Sequence, residues 1–577
     1  MGFFVQMLSI VVATVCLYSS CCGSEFQDEL ADEEDKWPTV GISILVKNKA
    51  HSLPFSLSCL QELDYPKDRI YVWFYVDDNA DESMSIIDTW TNKYKFEYSK
   101  VYLNGDGKTA AAVGYEWTEE RMRHVIKLRE EALDFARKHW ADYIFMLDAD
   151  VFLTDPSTLK RLVRKKLPVV APMLLSDGLY SNFWAAMSDN YYYEKTDQYE
   201  EITNRNTLGC FQVPMVHSAV LVDLRQKRSD ILTYEPAKIR GYTGPVDDII
   251  AFAVSAKNNG VAMNVCNDEL YGFVPVPVDM AHSSVKTTES EQLLNLKMEA
   301  LSHGVHFPLD GELSKYVSYP ARDRLGLDRV FVINLERRPE RRQLMQASLQ
   351  ELGIDAAILR AVDGRGLNMN DLSDLGITLM PNYEDPYHKR PMKAGEVGCF
   401  LSHYGIWKEI AARHVPRSLV LEDDVRFAPF FRRRFDELMR DLDTLDWEFV
   451  YLGRKVLQPD SEEFVTRRVS RPRYSYWTLG YLLSEKGARR LIRAEPLAKL
   501  LPVDELLPIM FDHHPNDTWK SFFRRRELKA YSATPLLVHP THYTGEAGYV
   551  SDTEDSPLLA APRDGETAQK EKERYEL

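Results

Sequence analysis

Hydrophobic positions in this chain fall into short unbroken runs separated by longer stretches with helical spacing. Gly41–Val46 is a short apolar run, and Ser52–Glu62 repeats its apolar residues every three to four positions. Ile70–Val76 is a second run, closed by Asp77-Asp78, and the long periodic stretch Glu119–Lys138 leads into Tyr143–Leu147, closed by Asp148-Ala149-Asp150. Apolar runs of strand length that alternate with amphipathic helices predict a mainly parallel, doubly wound sheet. The alternation restarts near Arg329. Val330–Ile333 reads as a strand, a basic turn and a helix to Leu352 follow, Ala394–Ala412 reads as a helix, and further strands end at Glu422 and Leu452. The pattern predicts two α/β domains in tandem, 38–310 and 328–548, with the boundary at 310–328. The halves share a layout and no direct sequence repeat.

Ligands in such sheets sit at the carboxyl ends of strands, and that is where the acids cluster. Asp148 and Asp150, two positions apart around a turn, can reach one Mg²⁺ or Mn²⁺, which prefers carboxylate oxygens and keeps positions open for phosphate. Two carboxylates at a strand end are how a nucleotide-sugar transferase holds the cation that neutralises its departing diphosphate. Asp77 and Asp78 can accept hydrogen bonds from the base or ribose of a donor. Asp247 and Asp248 open an apolar helix, as an N-cap and its neighbour or with one of them as the general base that deprotonates an acceptor. His282 and His306 are candidates to complete the metal site; a lone histidine also serves structural ends.

The second half repeats the logic. Glu422, Asp423 and Asp424 are its candidate metal ligands, and Asp504 and Glu505 its candidate bases. Arg337, Arg338, Arg341 and Arg342 can hold a diphosphate at the strand end or form a solvated helix face. Gly395–His403 is rich in small residues. Its helix can bring backbone, Glu396 and His403 against a donor, or pack tightly on the sheet with His403 as a satisfied core residue.

At 577 residues the chain is too long for one core. A formal net charge of −16 argues against nucleic acid as the main partner. Residues 1–23 read as a secretory signal peptide, with a signal anchor as the rival, and 24–37 as an acidic linker. No later segment has the roughly 18 consecutive apolar residues of a membrane span, so no stable span is expected after cleavage. Of seven cysteines, four lie beyond the leader, without a CxxC pair. Cys210–Cys266 is the first pairing expected if lumenal disulfides form, and buried free cysteines are the alternative. Asn516-Asp517-Thr518 is a glycosylation sequon. Residues 549–577 read as a charged tail, disordered from about Asp552. It ends Arg574-Tyr575-Glu576-Leu577, similar to the K-D-E-L retrieval signal, and predicts residence in the endoplasmic reticulum lumen.

Val332–Pro339, Ala361–Gly364, Gly395–His403, Leu421–Asp424 and Ser484–Ala488 together resemble glycosyltransferase family 25, and residues 39–280 resemble the GT-A fold. The whole is similar to the animal members of that family that act on collagen. The resemblance implies two tandem GT-A-like domains and an enzyme that uses Mn²⁺ and UDP-galactose. It implies an inverting reaction that adds β-linked galactose to hydroxylysine of unfolded procollagen, and a homodimer. An inactive family member acting in cell adhesion, and a galactosyltransferase for another acceptor, are the alternatives.

Overall fold

The computed structural model describes residues 37–77, 79–105, 118–277, 288–367, 369–544 and 549–559. The chain forms two compact units. One holds the residues up to Leu296 together with Phe307–Val317, and the other holds Lys297–His306 and the chain from Ser318.

In the first unit eight strands, β1 (Val40–Val46), β2 (Ile70–Val76), β3 (Lys100–Asn104), β4 (Tyr143–Asp148), β5 (Val169–Pro172), β6 (Cys210–Val213), β7 (Ala219–Asp223) and β8 (Met263–Cys266), form one sheet in the order β3-β2-β1-β4-β7-β5-β8-β6. Ile42 and Ile44 of β1 and Phe145 of β4 are buried, which explains why these strands read as unbroken apolar runs. Three helices bear on the candidate site: α1 (Leu53–Glu62), α2 (Glu119–Lys138) and α3 (Asp248–Asn258). Each of the last two starts with an oxygen-bearing cap. The Thr118 side chain accepts from the Arg121 N–H, and the Asp247 carboxylate accepts from the Ile250 N–H.

The second unit has its own sheet of β9 (Arg329–Asn334), β10 (Ala357–Arg360), β11 (Arg417–Glu422), β12 (Phe449–Val456), β13 (Glu463–Phe464), β14 (Val469–Arg471), β15 (Ser475–Ser484) and β16 (Ala530–Ala533). Their order is β10-β9-β11-β15-β12-β16-β14-β13. Helices α4 (Pro339–Glu351), α5 (Ala394–Ala412) and α6 (Val503–Met510) carry its candidate residues.

The expected parallel order holds at the start of each sheet, where β1 pairs in parallel with β2 and β4, and β9 with β10 and β11. Beyond that point both sheets are mixed: β7 runs antiparallel to β4 and β5, and β15 antiparallel to β11 and β12. An apolar run reports burial and carries no strand direction. Cys210 and Cys266 stand opposite each other on β6 and β8 and are joined by a disulfide. Among the described residues no helix is long and apolar enough to cross a membrane.

Residues 549–559 depart from the expected disordered tail. They are folded against the N-terminal end of α5: the Ala394 N–H donates to the Pro557 carbonyl (2.9 Å), and the Leu559 N–H donates to that of Met392 (3.0 Å). The Gly395 N–H donates to Ser556 Oγ (2.8 Å). The composition reads as a solvated tail, but Asp552 pairs with Arg337 and Arg338, and Glu554 with Arg390 and Lys393.

The small residues of α5 serve close packing. A Cβ on Gly398 would lie 2.5 Å from the Val362 carbonyl oxygen and 2.7 Å from the Gly364 nitrogen, whereas one on Gly405 of the same helix meets nothing within 4 Å. Gly398→Ala is therefore expected to destabilise the second unit by about 1–3 kcal/mol through overpacking. Gly405→Ala should stabilise it by roughly 0.5–1 kcal/mol through helix propensity. Urea unfolding of the two variants checks both signs.

Candidate active sites

In the first unit the end of β4 delivers Asp148 and, around the turn, Asp150. Each carboxylate already has a cation. Arg129 reaches from α2, with Nη2 2.6 Å from Asp148 Oδ1 and Nε 3.4 Å from Asp248 Oδ2. Lys49, just past β1, places Nζ 2.8 Å from Asp150 Oδ2 and 3.0 Å from Glu289 Oε1. Burial alone would depress Lys49, but the Asp150 and Glu289 charges more than offset it and hold the ammonium above its ordinary value. Burial likewise pushes Asp150 up, and Lys49 brings it below the usual carboxylate range. Asp248 is buried, and burial raises it despite Arg129.

Arg129 thus ties Asp148 to Asp248, while Asp247 is spent on its cap. Asp77 ends β2 within 3.4 Å of His124 Nε2 and 3.6 Å of Lys47 Nζ. Asp78 and His282 lie outside the described residues, and His306 is exposed. Neither Arg129 nor Lys49 stands out in the sequence: Arg129 is one charge among many on a long helix. Lys49 follows a strand end, the weak signal that was available.

In the second unit the acids at the end of β11 are less fully matched. Asn334, ending β9, donates from Nδ2 to Asp423 Oδ2 (2.6 Å). Arg341 Nη1 lies 3.1 Å from Asp424 Oδ2 and 3.5 Å from Asp423 Oδ1. Among the described residues Asp424 Oδ1 is buried and has no hydrogen-bond partner. Burial first, then the Glu422 charge, pushes Asp424 up to about 7.

His403 from α5 is buried, with Nε2 3.2 Å from Glu422 Oε1 and Nδ1 3.0 Å from the Tyr481 hydroxyl. That hydroxyl accepts from Trp407 Nε1 (3.0 Å). Because indole only donates, the arrangement that satisfies every group has Tyr481 donating to Nδ1 and Nε2–H pointing at Glu422.

Asp504 and Glu505, adjacent at the start of α6, divide. Glu505 is buried, 2.7 Å from His514 Nε2, and accepts from the Tyr474 hydroxyl (2.9 Å). Burial, reinforced by Glu505 and Glu396, raises Asp504 well above the usual range, although it accepts the Trp477 backbone N–H. Cys399 lies amid these groups: burial, then the Glu422, Asp504 and Asp424 charges, push its thiol well up. Acids from β11 and α6 therefore face one locality.

The remaining second-unit candidates are engaged within the protein. Glu396 accepts from the Lys393 N–H (2.6 Å) as the third residue of a capping box and pairs with Arg390 (3.0 Å). Arg337 pairs with Asp363 (2.9 Å) and Asp552 (2.5 Å), and Arg338 with Asp552 (2.8 Å). Arg342 Nε donates to Asn334 Oδ1 (2.8 Å). Asn516 caps the short helix Asp517–Ser521 through Oδ1. Arg574, Tyr575, Glu576 and Leu577 lie outside the described residues.

Residues 37–297 match the family model described as glycosyltransferase family 25, N-terminal domain, and residues 327–507 match that of glycosyltransferase family 25 (LPS biosynthesis protein). A "Glycosyltransferase 25 family member" of Anopheles gambiae is 47% identical, covering 94% of this chain and 93% of that one. The chain belongs to glycosyltransferase family 25. Other relatives in the family are "Procollagen galactosyltransferase 1-A" of Xenopus laevis, 44% identical over 93% of this chain and 91% of its own, and "Procollagen galactosyltransferase 2" of Mus musculus, 42% identical over 96% and 92%. The expected fold class, two α/β glycosyltransferase domains in tandem along the chain, is the one found.

One pH effect follows for this family 25 chain. Burial, with a further push from Arg129, lowers His217 to about 4 against some opposition from Asp148. The unfolded chain would take up that proton near pH 6.5, so between about pH 6.5 and 4 the unfolded state binds more protons and stability falls with acid. The loss should approach about 3 kcal/mol at pH 4, and unfolding midpoints of the wild type and His217→Gln across that window should show the slope shrink in the variant.

Proposed function

We propose that this chain transfers galactose from UDP-galactose to hydroxylysine of collagen, with inversion at the sugar, and that the second unit performs the transfer. The relatives named procollagen galactosyltransferase, at 42–44% identity over at least nine-tenths of each chain, support the reaction. The observation that carries the choice of unit is Asp424 Oδ1, buried and without a partner among the described residues, beside two further carboxylates.

An orphaned hard oxygen among Glu422, Asp423 and Asp424 fits a divalent cation such as Mn²⁺. When bound, such an ion would place positive charge against the departing diphosphate. Asp148 and Asp150 already have Arg129 and Lys49. Inversion needs one base on the acceptor side. Asp504 has its carboxylate free of side-chain hydrogen bonds, whereas Glu505 is held by His514 and Tyr474. Asp504 would accept the acceptor hydroxyl's proton as the hydroxyl oxygen attacks the anomeric carbon. Arg341 holds Asp423 and Asp424 in place. The leader-like residues 1–23 and the Arg574–Leu577 terminus support an address in the endoplasmic reticulum lumen.

The test is transfer of labelled galactose to a hydroxylysine-containing collagen peptide, with Mn²⁺ or with EDTA. Labelling should require the metal, and Asp424→Asn should abolish it while Asp148→Asn leaves most of it. Asp504→Asn should cut kcat by about 10²–10⁴-fold with the melting temperature nearly unchanged. Activity lost in Asp148→Asn and kept in Asp424→Asn would move the transfer to the first unit.

A further inference from the structure

The first unit carries a groove of about 360 Å³ lined by Tyr180, Phe183, Trp184, Tyr193, Tyr199 and Glu200, among others. Its rings stand edge to face: Trp184 to Tyr193 at 5.6 Å and 66°, and Tyr193 to Tyr199 at 5.8 Å and 76°. The walls are braced from behind. Phe183–Trp184 pairs with Met215–Val216 in a two-stranded ladder, and the Tyr199 hydroxyl donates to the Leu179 carbonyl (2.8 Å). Tyr193 is 40% exposed, and its neighbour Tyr192 is 74% exposed. At the inner end the Tyr180 ring lies 5.9 Å from His217, next to Ser218, whose carbonyl accepts the Asp148 N–H.

The charged residues that line the groove are Lys195 and Glu200, paired at 2.6 Å, and the stretch 189–201 that supplies them also carries Asp189 and the exposed Glu194, Asp197 and Glu201 beside the groove. Acids beside the groove disfavour the nucleoside diphosphate of a donor, and a second copy of a chain with net charge −16. Aromatic slots take extended, proline-rich chains, because the polyproline II conformation is stiff and its rings fit between perpendicular aromatic faces. Acids beside the slot favour a cationic strand.

We propose that this groove docks the acceptor polypeptide: an extended, imino-acid-rich segment bearing lysine or hydroxylysine, held on the first unit by ring stacking and by the acids beside the groove. This inference rests on the reaction proposed above for its choice of acceptor.

The experiment uses the full chain and a fluorescent unfolded peptide of Gly-Pro-Xaa repeats containing hydroxylysine, together with the same peptide bearing alanine for proline. Anisotropy reads binding, and labelled galactose reads transfer. Tyr193→Ala and Glu200→Gln are each expected to weaken binding of the proline peptide and raise its KM about fivefold to tenfold. The kcat and the KM for UDP-galactose should stay within about twofold. The alanine peptide should bind the wild type weakly and lose little further in Tyr193→Ala.

Variants that bind the peptide like the wild type, that weaken UDP-galactose instead, or that change only a concentration-dependent mass would overturn the proposal. The two readings fail separately. Normal transfer with a silent Tyr193→Ala removes the groove and leaves the reaction. Ring-dependent peptide binding without any galactose transfer removes the reaction and leaves the groove.

Discussion

Carboxylates crowded at the end of a buried strand raise one another's energy, and the two units meet that charge differently. In the first, Arg129 spans Asp148 and Asp248 while Lys49 spans Asp150 and Glu289, so each of these carboxylates has a cation in contact. In the second, Arg341 serves both Asp423 and Asp424, and one oxygen of Asp424 is left buried without a partner among the described residues. That orphaned oxygen is the observation on which the proposed metal site rests. The buried Trp407–Tyr481–His403 relay belongs to the same arrangement: it orients a ring nitrogen toward Glu422.

The same economy of charge explains the strap formed by residues 549–559. Its acids settle on a cluster of arginines and a lysine that would repel one another at the ends of α4 and α5. The strap packs closely because Gly395 has no side chain: a Cβ there would meet Ser556 Oγ at 2.7 Å. Gly398 and Gly364 allow the first turns of the same helix to touch the turn after β10. Charge pairing and close backbone packing therefore act on one helix, which also carries His403 and Cys399.

The alternation of apolar runs and helices was readable because burial on both faces of a sheet leaves few polar positions, and β1, β2 and α2 begin and end close to where periodicity put them. The acids at the strand ends were readable for the same reason, since a charged residue interrupting such a run is conspicuous. What stayed hidden depends on pairing across the fold. Nothing local marks Arg129 as the partner of Asp148, separates Asp504 from Glu505, or reveals that Asp552 answers Arg337 and Arg338. Strand direction was hidden too, so the antiparallel entries of β7 and β15 came only with the structure. The aromatic groove assembles residues from 179 to 204 whose spacing follows neither period.

The family match to the second unit ends at residue 507, yet the sheet does not. Strand β16, residues 530–533, lies between β12 and β14 inside that sheet, and the strap beyond it closes the start of α5. A fragment cut at the end of the family match would bare the backbone amides and carbonyls of β12, a ready template for strand addition by other molecules. Such a fragment would aggregate for reasons unrelated to its chemistry, and any excised domain has to run to at least Leu559 to keep its edges covered.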